Sequence, residues 1–228
     1  MKQVVQVLKV LGLIILSLFC NILPMRLLMI QDKFGAGLKW LVVIAYVIFI
    51  GVVITLLWKA YEKKAPFKHV EQKMGMKDIG IAFLYFLAAR VVAIAGTLII
   101  QSLTGQETTA NDAALQSLTS LFEGGFFGFT LIYCLLVGIF GPIIEEMAYR
   151  AFPTVLIFKG KLGLLPGLVT TAVFALPHAT TVLEFCLYFC IGFILYLAYQ
   201  RRGNIKDSIL VHILNNLPSA IIFLLMGF

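Results

Sequence analysis

The sequence predicts an all-α protein that crosses a membrane about seven times. Hydrophobic residues make up 61% of its 228 residues, and the mean hydropathy is +1.00. Apolar runs recur along the chain at about the twenty-residue length that a helix needs to cross the hydrocarbon layer. A soluble domain does not contain repeated runs of this length. We therefore predict a bundle of about seven transmembrane helices, with eight as the alternative.

The apolar runs are separated by connections of alternating charge. The runs cover residues 8–30, 38–58, 79–102, 125–146 or beyond, 162–178, 182–200 and 207–227. Connections 59–77, 159–161 and 201–206 are basic, whereas 103–124 contains acidic residues and no Lys or Arg. The positive-inside rule then places the basic connections and the N-terminus in the cytoplasm. We attribute the net charge of +7 to membrane orientation rather than to nucleic-acid binding.

The remaining general features predict one multi-pass domain, residues 1–228, with lipid as a partner. The N-terminal run lacks a small-residue cleavage site, so we expect a retained first helix. The four cysteines lie in apolar runs without CxxC spacing, which indicates buried, inert thiols: Cys20, Cys134, Cys186 and Cys190. Several polar residues are expected to face solvent or headgroups: Glu184, His69, Lys59, Lys63, Lys64 and Lys68.

The stretch GPIIEEMAYRAF, residues 141–152, places charges inside an apolar run. Each charge at the bilayer centre costs about 2.5 to 3.5 kcal/mol on the insertion scale. Glu146 and Arg150 are four residues apart, so they share a helix face and are expected to form an ion pair. Glu145 points about 100° away, without a partner from its own helix. Pro142 is expected to kink the helix and free a backbone carbonyl near the carboxylates.

Two later apolar runs carry further polar pairs with helical spacing. Phe174 and His178 are four residues apart, as are His212 and Asn216, so each pair shares a face. Each motif alone has a structural explanation, such as a histidine bonded to a carbonyl or a Glu–Arg clasp. Ionisable residues on three successive membrane helices nevertheless favour a functional site. We expect four groups to converge there: Glu145, His178, His212 and Asn216.

Arg90 is a further charge in the middle of an apolar run. It is expected either to neutralise one of the two glutamates or to receive the anionic end of a substrate. The sequence leaves both roles open.

A carboxylate, two imidazoles and a carboxamide suit hydrolysis of a peptide bond by activated water. Glu145 would take the proton from water, His178 would orient the water, and His212 with Asn216 would stabilise the oxyanion. Alternatively, Glu145, His178 and His212 would bind a zinc ion that activates the water. The chain lacks HExxH, GxSG and GxGD motifs, which disfavours the common zinc, serine and aspartyl mechanisms.

The order of the motifs resembles a known family. EExxxR, then FxxxH, then HxxxN are similar to the motifs of the CPBP intramembrane proteases, which comprise the type II CAAX prenyl endopeptidases and their bacterial Abi-type relatives. The likeness covers about residues 125–220, whereas the first hundred residues share only transmembrane character. Ala151 stands where the family often has glycine. The resemblance implies that Glu145 is the catalytic base and that His178 is its partner in water activation. It implies that His212 and Asn216 form the oxyanion site. Three residues would support the site: Glu146, Arg150 and Phe174.

Three functions follow as hypotheses. The first is a membrane endopeptidase of the bacterial cytoplasmic membrane that cuts a membrane-associated peptide or protein, such as a bacteriocin or pheromone precursor. The second is a non-catalytic immunity or peptide-sensing protein that binds its partner with the same fold. The third is a small transporter, which predicts repeat symmetry that the sequence does not display. The intact set of four polar groups favours the enzyme.

Overall fold

The computed structural model describes residues 2–66 and 72–226. It is 83% helical, and the described residues contain no strand. Lys68 and His69, which were expected to face solvent, lie outside the described residues. The predicted all-α class is confirmed.

Six helices are long and apolar enough to cross a membrane, counted over the described ranges. They are α1 (Lys2–Met29), α2 (Ala36–Glu62), α3 (Met76–Thr104), α5 (Phe127–Leu156), α7 (Val182–Gln200) and α8 (Ile205–Leu225). A short helix, α4 (Ala110–Gln116), lies between α3 and α5. The run predicted at 162–178 is a shorter apolar helix, α6 (Leu164–Ala175), which ends in a 3₁₀ turn at Leu176–His178. The chain is thus a polytopic membrane protein.

Helix α5 lies at the centre of the bundle. About 61% of its most apolar 18-residue stretch is buried, against 11% of the corresponding stretch in α3 and 22% of that in α1. Helices α1, α2 and α8 pack against α5, while α3 packs against α7 and α8. The outer helices expose many large apolar side chains, as expected of surfaces that face lipid. Polar groups on α5 are therefore the ones most shielded from both lipid and water.

Two π-helical turns interrupt α5, and each precedes a proline. They span Leu136–Phe140 and Met147–Ala151, and Pro142 and Pro153 are each the second residue of the α-helical segment that follows. Proline has no N–H for the helical ladder, and π turns of this kind occur often at functional sites. The helix accommodates Pro142 through the first π turn and continues to Leu156.

The turn between α7 and α8 is fastened by charge to the start of α3. Arg201 donates to Asp78 at 2.8 Å and to Asp207 at 2.9 Å. Arg202 forms a two-pronged contact with Asp207, with Nε and Nη2 at 2.7 and 2.6 Å from its oxygens, and this contact raises the pKa of the Arg202 guanidinium above its ordinary value. The network joins the start of α3, the end of α7 and the start of α8.

At the opposite end, the expectation for Glu184 was wrong. Its side chain is fully buried and does not face solvent or headgroups. Its carboxylate accepts hydrogen bonds from Ala110 N at 2.6 Å and from Thr180 N at 2.8 Å, and it forms a capping box with Thr181 at the start of α7. A carboxylate in the first turn satisfies free N–H groups and complements the helix dipole. Here the same carboxylate also ties α4 to α7.

Candidate active site

The predicted ion pair between Glu146 and Arg150 lies in the core of the bundle. Arg150 Nη1 is 2.5 Å from Glu146 Oε1, and both side chains are fully buried. Glu146 also accepts hydrogen bonds from Ser208 Oγ and from His212 Nδ1 at 2.9 Å. Three donors from two helices thus satisfy one buried carboxylate, as an ionised group in a low-dielectric interior requires.

Glu146 also orients His212. A carboxylate accepts hydrogen bonds, so the ring carries its proton on Nδ1. The other nitrogen, Nε2, lies 3.7 Å from Glu145 Oε2. Glu145 and His212 are 8% and 4% exposed. The two predicted catalytic groups therefore face each other with little of either side chain exposed.

Glu145 has a second partner, which comes from the first helix of the chain. Asn21 Nδ2 donates to Glu145 Oε1 at 2.7 Å. The helix face that lacks a partner on α5 thus finds one on α1, 124 positions earlier in the sequence. Each oxygen of Glu145 has its own neighbour, Asn21 on one side and His212 on the other.

His178 is held by its own turn and by two aromatic rings. Its Nδ1 is 2.8 Å from the Phe174 carbonyl, and because a carbonyl only accepts, Nδ1 carries the proton and Nε2 is left free. The ring lies between Phe174, at a centroid distance of 4.5 Å, and Tyr188, at 5.4 Å. Among the described residues, no hydrogen bond or ion pair joins His178 directly to Glu145.

Phe174 connects the two histidines. Its ring meets His212 edge to face at 5.9 Å and lies 4.4 Å beneath the Arg150 guanidinium carbon. Arg150 Nη2 also donates to the Gly192 carbonyl at 3.1 Å. A Cβ at Gly192 would lie 2.8 Å from the Phe174 ring, closer than real Cβ contacts. Glycine at this position lets α7 approach Phe174 and Arg150.

Asn216 uses the carbonyl that the interrupted helix leaves free. In the first π turn, Gly141 N–H donates to Leu136 O, and Pro142 has no N–H to offer Val137. Asn216 Nδ2 donates to this Val137 carbonyl at 3.2 Å. The freed carbonyl expected near the carboxylates is therefore present, and its partner comes from α8. One N–H of the Asn216 amide remains for another acceptor.

The comparison with protein families identifies this part of the chain. Residues 127–218 match the family model of the type II CAAX prenyl endopeptidases described as Rce1-like. We call residues 127–218 the Rce1-like segment. The Rce1-like segment extends from the start of α5 to Pro218 and contains all three motifs, which confirms the predicted resemblance to the CPBP family. It covers less than half of the chain. No curated protein and no solved structure matches the chain.

Several residues around the Rce1-like motifs were not predicted from the sequence. Ser208 and Gly192 lie within the segment and contact Glu146 and Arg150. Asn21 lies outside it. An isolated asparagine in the apolar run 8–30 was the available signal, because such residues commonly bond across membrane helices.

Arg90 does not take part in this network. Its side chain is half-buried, and within residues 2–66 and 72–226 it forms no ion pair. Arg150 supplies the cation for Glu146 instead, because it lies on the same face of the same helix. The role as charge partner of a glutamate thus finds no support in the geometry, while the role in substrate binding stays a prediction.

The three residues considered for zinc do not form a metal site in this arrangement. Within the described ranges, no group of three His, Cys, Asp or Glu side chains is placed to hold a metal ion. The Phe174 ring contacts both histidines, and among the described residues no hydrogen bond or ion pair joins His178 to Glu145 or His212. Since the donor set does not fit zinc, we derive no step through the metal.

Proposed function

We propose that the protein is an intramembrane endopeptidase that hydrolyses a peptide bond with water activated by Glu145. The observation that carries the proposal is the Glu145–His212 pair, with Oε2 and Nε2 3.7 Å apart in a segment that matches the Rce1-like family. The gap is too long for a direct hydrogen bond. It leaves one carboxylate oxygen available to a reacting molecule.

In the proposed reaction, Glu145 Oε2 accepts a proton from water while the water oxygen forms a bond to the substrate carbonyl carbon. The carbonyl electrons move to oxygen and give a tetrahedral oxyanion. The C–N bond then breaks, and the proton held by Glu145 passes to the leaving amine. Low exposure of Glu145 and His212 supports this role, because electrostatic interactions are stronger where bulk water is excluded.

His212 and Asn216 are the proposed donors to the oxyanion. Glu146 accepts a hydrogen bond from His212 Nδ1, which leaves Nε2 toward the substrate; Nε2 donates to the oxyanion in the doubly protonated ring, in which both nitrogens carry a proton. Asn216 keeps one N–H after its bond to Val137. Each donor is held by another residue in advance, which lowers the reorganisation required in the transition state.

His178 is the proposed partner in water activation. Its free Nε2 can accept a hydrogen bond from the attacking water, while the Phe174 carbonyl and the Tyr188 ring keep the imidazole in place. Glu146, Arg150 and Phe174 serve as supporting residues. Arg90 remains a candidate for the anionic end of the substrate.

The proposed substrate is a membrane-associated peptide or protein, with bacteriocin and pheromone precursors as the examples. The apolar outer surface and the six long apolar helices support a substrate that reaches the site from the membrane. We place the protein in the bacterial cytoplasmic membrane with its N-terminus in the cytoplasm, on the strength of the basic connections.

The test is cleavage of a panel of membrane-associated peptides by the detergent-purified full chain, followed by mass spectrometry. Glu145→Gln and His178→Ala are compared with Glu107→Gln, a matched control whose carboxylate is exposed. We expect both site variants to lose at least about a hundredfold in rate, while the control cleaves as wild type does.

A chelator titration on the wild type separates the mechanisms. Full activity in chelator supports the glutamate mechanism, whereas loss that zinc restores would replace it with a metal mechanism. If no peptide is cut and Glu145→Gln binds the partner as wild type does, the immunity or sensing function replaces the enzyme.

A further inference from the structure

We propose that Asn21 is a positioning residue for Glu145, and that helix α1 completes an active site whose motifs all lie in the Rce1-like segment. This inference rests on the proposed function. Its basis is the 2.7 Å hydrogen bond from Asn21 Nδ2 to Glu145 Oε1. Asn21 lies more than a hundred residues before the first residue of the match, so no motif of the segment includes it.

The packing of α1 holds Asn21 against the site. Five buried residues mark the face of α1 that packs on the bundle: Val10, Ser17, Cys20, Pro24 and Leu28. Asn21 follows Ser17 by four positions, so the two share this face. The same face contacts the segments of α5 that carry Gly141 and Glu145. The register of α1 therefore determines where the Asn21 amide lies.

A second amide fixes that register beyond the end of α1. Gln31 Nε2 donates to the Leu121 carbonyl at 3.0 Å, and Gln31 Oε1 accepts from Phe126 N at 2.7 Å. These bonds tie the chain after α1 to the residues that lead into α5. With Gln31 at one point and Asn21 at another, α1 has little freedom to slide along α5.

The bond to Asn21 assigns separate tasks to the two oxygens of Glu145. The terminal torsion of a glutamate has a broad distribution, so an unassisted carboxylate has no fixed plane. Asn21 occupies Oε1, which leaves Oε2 toward His212. An amide can do this without adding a charge to the membrane interior. Gly141 provides the space, since a Cβ there would lie 3.3 Å from Asn21 Oδ1.

The kinetic test uses two variants of Asn21 and one matched control. Asn21→Leu removes the donor, and Asn21→Asp keeps the shape but has no amide N–H. Ser17→Ala changes a buried residue on the same face whose hydroxyl has no hydrogen-bond partner among the described residues. We expect kcat to fall about 10- to 100-fold in both Asn21 variants with KM within about twofold, and Ser17→Ala to match wild type.

A spectroscopic readout is independent of turnover. The infrared carboxylate band of Glu145 is identified by its absence in Glu145→Gln, and we expect it to shift in Asn21→Leu because the hydrogen bond to Oε1 is lost. An unshifted band overturns the inference. So does an unchanged kcat in both Asn21 variants, or an equal loss in Ser17→Ala, which would indicate helix packing alone. Equal cleavage by wild type and Glu145→Gln would instead overturn the proposed function, while the band still reports the Asn21 bond.

Discussion

Replacing Glu146 by glutamine leaves the buried Arg150 guanidinium without its anion. Both side chains are fully buried and 2.5 Å apart, so solvent cannot replace the lost partner. Removing one member of a buried pair typically costs about 3 to 5 kcal/mol, because the remaining charge is uncompensated. The Gly192 carbonyl still accepts from Arg150 but carries no charge. For a chain of this size the loss corresponds to a decrease in Tm of roughly 6 to 20 °C.

The assay is thermal unfolding in detergent with a thiol-reactive dye. Cys20 and Cys134 are 0% and 5% exposed, so they react only on unfolding. The expected burial was wrong for Cys186 and Cys190, which are exposed because the face of α7 that they share points away from the bundle; these two thiols are blocked beforehand. The unfolding signal therefore comes from the interior of the bundle.

A double variant sharpens the test. Glu146→Gln with Arg150→Met removes the uncompensated charge, so we expect the double variant to lose less stability than the sum of the two single changes. Glu123→Gln, which alters an exposed carboxylate, is the control and should stay within about 0.5 kcal/mol of wild type. A Tm for Glu146→Gln within about 1 °C of wild type would refute the assignment of a buried, ionised pair.

Two further predictions concern the supports of the site. Gly192→Ala places a Cβ 2.8 Å from the Phe174 ring and 3.3 Å from Arg150 Nη2. We expect overpacking to lower the stability by about 1 to 3 kcal/mol and to reduce cleavage, as measured by Tm and kcat. A wild-type Tm and a wild-type kcat would contradict the close approach of α7 to these two side chains. Asp207→Asn removes the carboxylate that binds Arg202. We expect the free energy of unfolding to fall by about 1.5 to 3 kcal/mol in the same unfolding assay. An unchanged Tm would mean that the charge network does not stabilise the turn between α7 and α8.

Local features of the sequence were sufficient to predict the long apolar helices, although not the short helix α4 or the two π-helical turns in α5. Run length and hydropathy indicate helices directly, because a membrane helix must satisfy its backbone internally. The Glu146–Arg150 pair was equally predictable from the sequence, since both residues lie on one helix and their spacing determines that they share a face. The effect of Pro142 followed from the missing N–H. The resemblance to the CPBP proteases indicated a candidate site within residues 141–216.

Contacts between distant segments were beyond such reasoning. The partners of Glu145 and Glu146 on other helices, Asn21 and His212, are 124 and 66 positions away. Glu184 was misjudged because a carboxylate near the end of a helix is compatible with both solvent and a capping role, and only the approach of α4 buries it. Hydropathy contains no information about which loop covers a helix end.

The sequence by itself determined that this chain forms membrane helices and that Glu145, Glu146 and Arg150 need shielding within the bundle. Length, composition and spacing act within one helix, and the bilayer imposes the same requirement on each helix separately. The tertiary structure decided which polar groups meet. Glu146 orients His212 toward Glu145, His178 packs against the Phe174 ring, and α1 supplies Asn21 as a donor to Glu145. These arrangements depend on how helices pack and slide against one another, and the packing is a property of all the side chains at the interface together.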